Sequence, residues 1–237
     1  MSKAKLYLQY ENQHLVLGPQ KKSLRSVVEN YPGPTYVYDL DIVRERFEMM
    51  KSQLSGVQIY YAMKANPHLQ ILKELKKMGS GVDVVSGGEI ERALEAGFVP
   101  QDMIFSGVGK TIKELTQAIK LEIHQINVES IAELRRICTL SRQLGKKASI
   151  VFRLNPNVDI ETHPYIATGL HNNKFGMAFS DLPDLEEIIL KNQDILSFKG
   201  VSLHLGSQMH NLAGFRQAVQ ILREVFVNLQ KRFASVD

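Results

Sequence analysis

Past residue 34 the chain alternates between two hydrophobic rhythms. Short apolar runs rich in Val, Ile, Tyr and Phe occur at 35–39 (TYVYD), 57–64 (VQIYYAMK), 81–86 (GVDVVS), 102–107 (DMIFSG), 124–129 (HQINVE), 149–155 (SIVFRLN) and 200–206 (GVSLHLG). Their length and composition predict β-strands. The segments between them carry apolar residues near a 3.6 spacing and predict helices: Val43, Phe47, Met50 and Leu54 on one face, Ile71, Leu75 and Met78 on another, Ile112, Leu115 and Ile119 on a third. Two helix starts carry capping-box spacing, Thr111 to Glu114 and Ser130 to Glu133.

Strands that alternate with helices imply a parallel sheet, because each parallel neighbour needs a crossover. A doubly wound sheet and a barrel both fit. The dinucleotide-binding version of the former requires G-x-G-x-x-G after its first strand. Here the first run is followed by YDLDIVRERF, without glycine, and SGGEIERALEAG lacks the spacing. The expectation is therefore an α/β fold of the (β/α)8 TIM type. Seven runs precede a last helical stretch, NLAGFRQAVQILREVFVNLQKRF, so the barrel reads as lacking its eighth strand. Ahead of it, KLYLQYENQHLVLG alternates at Leu6, Leu8 and Tyr10, then at Leu15 and Leu17, as two short strands around a turn. The expected division is a lead-in over 1–33 and the barrel over 34–237.

Composition changes this picture little. The chain has 237 residues, 44% hydrophobic and 23% charged, enough for one large domain. Its net charge of +4 is spread through helical stretches, without basic and aromatic residues interleaved, which argues against nucleic-acid binding. The lone Cys138 forms no internal disulfide or zinc cluster and suits a reducing cytoplasm. No segment reads as a signal peptide or a membrane span.

In such barrels the active site lies at the C-terminal strand ends. Those ends read Asp39, Lys64, Asp83 with Ser86, Ser106, Glu129, Arg153 with Asn155, and His204 with Ser207. Polar turn residues account for many of these. They account less well for Lys64, Arg153 and His204, which follow apolar stretches. A lysine in a pocket condenses with an aldehyde once part of it is neutral. By position alone Lys64 reads first as a lysine ending a strand in solvent, and His204 as a core histidine.

The words around these residues narrow the choice. YAMKANPHLQIL resembles the cofactor-attachment motif of the fold-type III pyridoxal-phosphate-dependent decarboxylases, whose barrel is alanine racemase-like. GSGVDVVSGGEIERALEAGF, IFSGVGKTIKEL, INVESIAELRRI, FRLNPNVD and GVSLHLGSQM continue the resemblance in order along nearly the whole chain. THPYIATGLHNNKFG resembles the diaminopimelate decarboxylase branch more than the ornithine branch. The resemblance implies a carboxy-lyase that uses pyridoxal 5'-phosphate on a small amino-acid substrate, meso-diaminopimelate, to give lysine. It implies that Lys64 holds the cofactor aldehyde and helps reprotonate the product. By the same resemblance His204 would lie against the ring face, Ser207 would donate to the phosphate beside Gly206, and Arg153 and Asp83 would tune the charge near the ring, Asp83 reading equally as a turn residue. Glu89 reads either as a site residue or as a first-turn glutamate favoured by the helix dipole. In the long loop 156–179, Thr162, His163, Tyr165 and Ile166 are candidates to face the substrate. Metal binding by His163 and His171 lacks carboxylate-rich spacing, so no metal is expected.

Three features of the family are missing: the eighth strand with its glycine-rich phosphate turn, an acidic partner for the pyridine nitrogen, and the C-terminal β-domain that joins a homodimer. The expectation is an N-terminal barrel portion whose activity alone is in question. The rivals are a stand-alone pyridoxal-phosphate barrel without decarboxylase activity and a non-catalytic partner of a full-length subunit.

Overall fold

The computed structural model of the chain describes residues 7–156, 175–206 and 213–233. The lead-in forms a small antiparallel sheet of β1 (Leu8–Glu11), β2 (His14–Leu17) and β3 (Lys22–Ser23), in that order. Glu11 pairs with His14, which leaves Asn12 and Gln13 as a two-residue turn. Both have positive φ, 47° and 67°, as a turn matching the right-handed twist of a hairpin requires. The short helix α1 (Leu24–Val28) follows.

The first run expected as a strand, 35–39, is not one. The segment has no regular element, with Tyr36 89% and Tyr38 57% exposed. Asp39 instead caps helix α2 (Leu40–Gln53), its Oδ1 accepting the Asp41 N–H at 2.8 Å. A barrel's first strand is held between two neighbours, and among the described residues no closing strand stands beside this segment. Local capping chemistry then decides its conformation.

Four of the other six runs contain a strand, β4 (Tyr60–Ala62), β5 (Gly81–Val84), β6 (Met103–Phe105) and β7 (Gln125–Val128), and two overlap one: β8 (Ala148–Arg153) starts one residue before its run, and β9 (Leu196–Ser202) starts four residues before 200–206 and ends at Ser202. They form one six-stranded parallel sheet in strict sequence order. A doubly wound sheet reverses its strand order at a switch point. No reversal occurs here, and the order is that of a barrel wall. Helices α3 (Leu69–Lys77), α4 (Gly87–Glu95), α5 (Ile112–Leu121), α6 (Ile131–Leu144) and α7 (Leu182–Leu190) follow β4 to β8 in turn, and α8 (Ala213–Gln230) follows β9.

The core lies between sheet and helices. Val82, Val84, Met103, Phe105, Ile126, Val128, Ile150, Phe152 and Phe198 point outward from the sheet and meet Ile90, Leu115, Ile119, Leu134, Ile137 and Leu185. Cys138 packs there as a small apolar residue. Not every predicted face is fully covered. Phe47, Ile71, Leu75, Leu115 and Ile119 are buried, but Met50 (52%), Leu54 (39%) and Ile112 (62%) lie at helix ends and stay exposed. Among the described residues no helix is long and apolar enough to cross a membrane.

The opposite sheet face carries polar side chains, with Ile104 and Val151 set among them. Side chains alternate across a strand, so Asp83, Gln125, Asn127 and Arg153 share that inner face. Between β8 and β9 the register shifts: Ile150 pairs with Phe198, yet Val151 pairs with Gly200. The extra residue, Lys199, is a β-bulge. It brings Ser202 opposite Arg153. Without it Val201 would stand there, and every later side chain would change face.

Candidate functional site

A cavity of about 450 Å3 opens at the C-terminal ends of the parallel strands. Lys64, Asp83, Arg153 and His204 all line it. Lys64 sits just past β4, in a single 3-10 turn over Met63–Ala65, and its side chain is exposed at the mouth. Met63 beside it is fully buried and anchors that turn. Asn66 then accepts the His68 N–H at 2.9 Å, and His68 caps α3 by accepting the Gln70 N–H, so the lysine is fixed between an apolar anchor and a turn.

Asp83 is on β5. The Ser106 hydroxyl donates to its Oδ1 at 2.5 Å, the Asn127 amide donates to that hydroxyl at 2.9 Å, and the Gln125 amide donates to Asn127 at 2.6 Å. One polar chain thus crosses β5 and β7 by way of the residue that follows β6. Burial pushes the Asp83 carboxyl above its usual range, while Ser106 and the charges of Lys64 and Arg153 pull against it. Arg153 ends β8. Its Nη1 donates to both oxygens of Glu129, at 2.8 and 2.9 Å, and its guanidinium carbon lies 5.8 Å from the Phe175 ring centre. His204 lies two residues beyond β9. Burial lowers its pKa, and the nearby Arg153 and Lys64 lower it further, with Glu129 opposing. The imidazole is held toward its neutral form.

Other expected mouth residues serve the scaffold. Ser86 caps α4, accepting the Glu89 N–H at 3.2 Å. Glu89 accepts the Val85 N–H at 2.7 Å, and burial raises its pKa, with that hydrogen bond opposing. It sits in the first turn of α4 and braces the strand-to-helix turn, within reach of the charges of Asp83 and Lys64. Asp39 lies with Lys22 and Arg44 at a different pocket, near the lead-in sheet. Asn155 donates its N–H to the Met177 carbonyl at 2.8 Å. The Thr111 to Glu114 box is complete. At Ser130 only half of one forms: the Ser130 hydroxyl accepts the Glu133 N–H, but the Glu133 carboxylate reaches the Glu129 N–H and Lys110 instead. Ser207, Thr162, His163, Tyr165, Ile166 and His171 lie outside the described residues.

Sequence reasoning did not mark Asn127, Ser202 or Gly107. Asn127 had a signal, since Gln125 and Asn127 are the polar half of an alternating strand. Ser202 had none, because the bulge alone turns it inward. Its hydroxyl is buried and has no hydrogen-bond partner among the described residues. Among those residues no group of His, Cys, Asp and Glu is placed to hold a metal ion.

Consecutive parallel strands, with a lysine amine and an arginine at their C-terminal mouth, define an α/β-barrel domain built around a ligand pocket. The pyridoxal binding domain of the pyridoxal-dependent decarboxylases matches residues 40–235, and the chain belongs to that family. It is 38% identical over 226 residues to a diaminopimelate decarboxylase of Aquifex aeolicus, covering 95% of this chain and 53% of that protein. To one of Helicobacter pylori it is 43% identical over 203 residues, covering 85% of this chain and 50% of the other. The crystal structure of diaminopimelate decarboxylase from Helicobacter pylori complexed with L-lysine superposes with a TM-score of 0.80 at 41% identity, over 87% of this chain and 53% of that one. The chain spans about half the length of the curated relatives it matches.

The residues present fit pyridoxal phosphate. The cavity volume is in the range of small-molecule sites. It offers an amine for an aldehyde, Arg153 and the unpartnered Ser202 hydroxyl for polar groups, and Val85, Leu203 and Phe175 as apolar wall.

Proposed function

We propose that this chain is the cofactor-holding half of a diaminopimelate decarboxylase, a carboxy-lyase that converts meso-diaminopimelate to lysine. The observation that carries this reading is the meeting of Lys64, Asp83, Arg153 and His204 in one cavity at the strand ends. The relatives named above supply the substrate.

When bound, pyridoxal phosphate supplies an electron sink for the pair left on the α-carbon as carbon dioxide departs. The chain's own residues do the rest. The Lys64 amine would hold the aldehyde carbon of the cofactor. Its Nζ would also be the group placed to return a proton to the α-carbon in place of the lost carboxylate. Asp83, fixed by Ser106, lies on the strand paired with the one that leads to Lys64, and its charge opposes that of the amine. His204, held neutral by burial, provides a flat wall for the ring without adding a third cation beside Lys64 and Arg153. In the same reading Ser207 donates to the phosphate, and Thr162, His163 and Ile166 belong to the substrate loop. Residues 1–33 belong with the β-domain and 34–237 with the barrel. The full-length enzyme is a cytoplasmic homodimer.

The test is borohydride reduction of the chain mixed with pyridoxal phosphate, followed by peptide mass mapping. Label on Lys64, and loss of that label in K64A, is the expected result. Label scattered over many lysines, or absent, sinks the reading. Assay of carbon dioxide release from diaminopimelate then separates a decarboxylase half from a barrel that only binds the cofactor.

A further inference from the structure

Lys110 lies after β6, directly before the residue that caps α5. Its side chain is 0% exposed and that of its partner Glu133 3%. All three ammonium donors are used: to the Gly107 carbonyl at 2.6 Å, the Asn127 carbonyl at 2.7 Å and Glu133 Oε1 at 3.0 Å. The other Glu133 oxygen accepts the Glu129 N–H at 2.8 Å. Glu129, itself 3% exposed at its side chain, accepts the Gly107 N–H at 3.0 Å and the Arg153 guanidinium. Gly107 therefore has both backbone polar groups taken by this network. Its φ of 107° is open to glycine and strained for other residues.

A buried lysine–glutamate pair is a costly way to fill space. Desolvation pushes the Lys110 pKa down although Glu133 and Glu129 pull it up. An apolar pair of similar volume would fill the same space without that cost. What an apolar pair lacks is direction. Here each charged atom ends on a group that lines the cavity or holds one that does: Gly107, Asn127, and Arg153 by way of Glu129. Lys110 itself is not part of the cavity wall.

We propose that Lys110 and Glu133 are positioning residues which, through Glu129 and Gly107, set the place of the Arg153 guanidinium in the cavity wall. This holds for the chain by itself. Its consequence for pyridoxal phosphate rests on the function proposed above.

The experiment is a double-mutant cycle in the whole chain: K110M/E133Q, R153M and the triple change, with K110M alone as a further variant. K110M/E133Q removes both charges together, so no unpaired carboxylate stays buried and the net charge is unchanged. The first readout needs no cofactor. It is the titration of the His204 imidazole, which faces Arg153 and Lys64 with Glu129 opposing, followed by NMR. Displacing Arg153 should raise the His204 pKa in K110M/E133Q and leave it unmoved when the same change is made in R153M. An unchanged titration, or an equal shift with and without Arg153, overturns the proposal. The second readout is affinity for pyridoxal phosphate. About a tenfold loss is expected in K110M/E133Q, and less than about twofold further loss in the R153M background, because coupled residues are not additive. Equal losses in both backgrounds would reduce the pair to general scaffolding. Failure of the unaltered chain to bind the cofactor would count against the proposed function, while the His204 titration would still decide this inference.

Discussion

Single side chains at this cavity are set by their partners more than by their type. Asp83 is the clearest case. Burial raises its pKa, and the Ser106 hydroxyl is the largest opposing influence. Ser106→Ala removes a hydrogen bond to a charged group and should destabilise the chain by about 1.5–3 kcal/mol at neutral pH. The sign of its pH dependence follows from linkage. A carboxyl whose folded pKa is raised contributes stability that is full below the ordinary aspartate range and lost as pH rises through the folded value. The variant raises that value further, so the gap to the unaltered protein should widen from acid toward neutral pH in urea titrations. A gap independent of pH would mean that Ser106 does not act through the Asp83 charge.

Elements are joined by carboxylates that serve two helix starts at once. Glu114 accepts the Gly87 N–H of α4 at 2.9 Å, and the Thr111 N–H and hydroxyl at the start of α5 at 2.9 and 2.7 Å. Each helix start leaves backbone N–H groups without intrahelical partners, and one side chain here satisfies two helices. The Gly87 hydrogen bond, followed by those of Thr111, holds the Glu114 carboxyl below its usual range. A depressed folded pKa gives stability that is present above the ordinary glutamate range and lost as pH falls through the folded value. Glu114→Ala should therefore cost about 1–2 kcal/mol near neutral pH, and the difference should close in acid, as in the Ser106 case, because in both variants the lost hydrogen bonds favour an ionised carboxylate. Thermal melts at two pH values check it. The Thr111 to Glu114 spacing was legible as a capping box. That Glu114 also reaches α4 was not, because residues 87 and 114 meet only once β5 and β6 lie side by side.

At the scale of the whole molecule the six-stranded wall leaves β4 and β9 as edges, each with one neighbour among the described residues. Unpaired strand edges template association, and the exposed Tyr36 and Tyr38 precede β4 in the chain. The isolated chain should show a weight-average mass that rises with concentration in sedimentation experiments. A constant monomer mass across the range would show that these edges are already covered.

The sequence determined the alternation of strand and helix and with it the parallel sheet, because periods of 2 and 3.6 are local properties of hydrophobic spacing; the barrel was preferred over a doubly wound sheet on the missing dinucleotide glycine pattern and the family resemblance. It also determined that Lys64, Asp83, Arg153 and His204 lie near strand ends, since the polar residue after an apolar run is visible in one dimension. The tertiary structure decided the rest. The run at 35–39 had strand composition but no strand, because a strand needs neighbours that composition does not count. The bulge at Lys199 turned Ser202 inward, and a register shift exists only between two strands. The Lys110–Glu133 pair joins residues 23 apart in a buried contact. Nothing in either residue's own neighbourhood signals it, because the energy of a buried charge depends on what surrounds it in space.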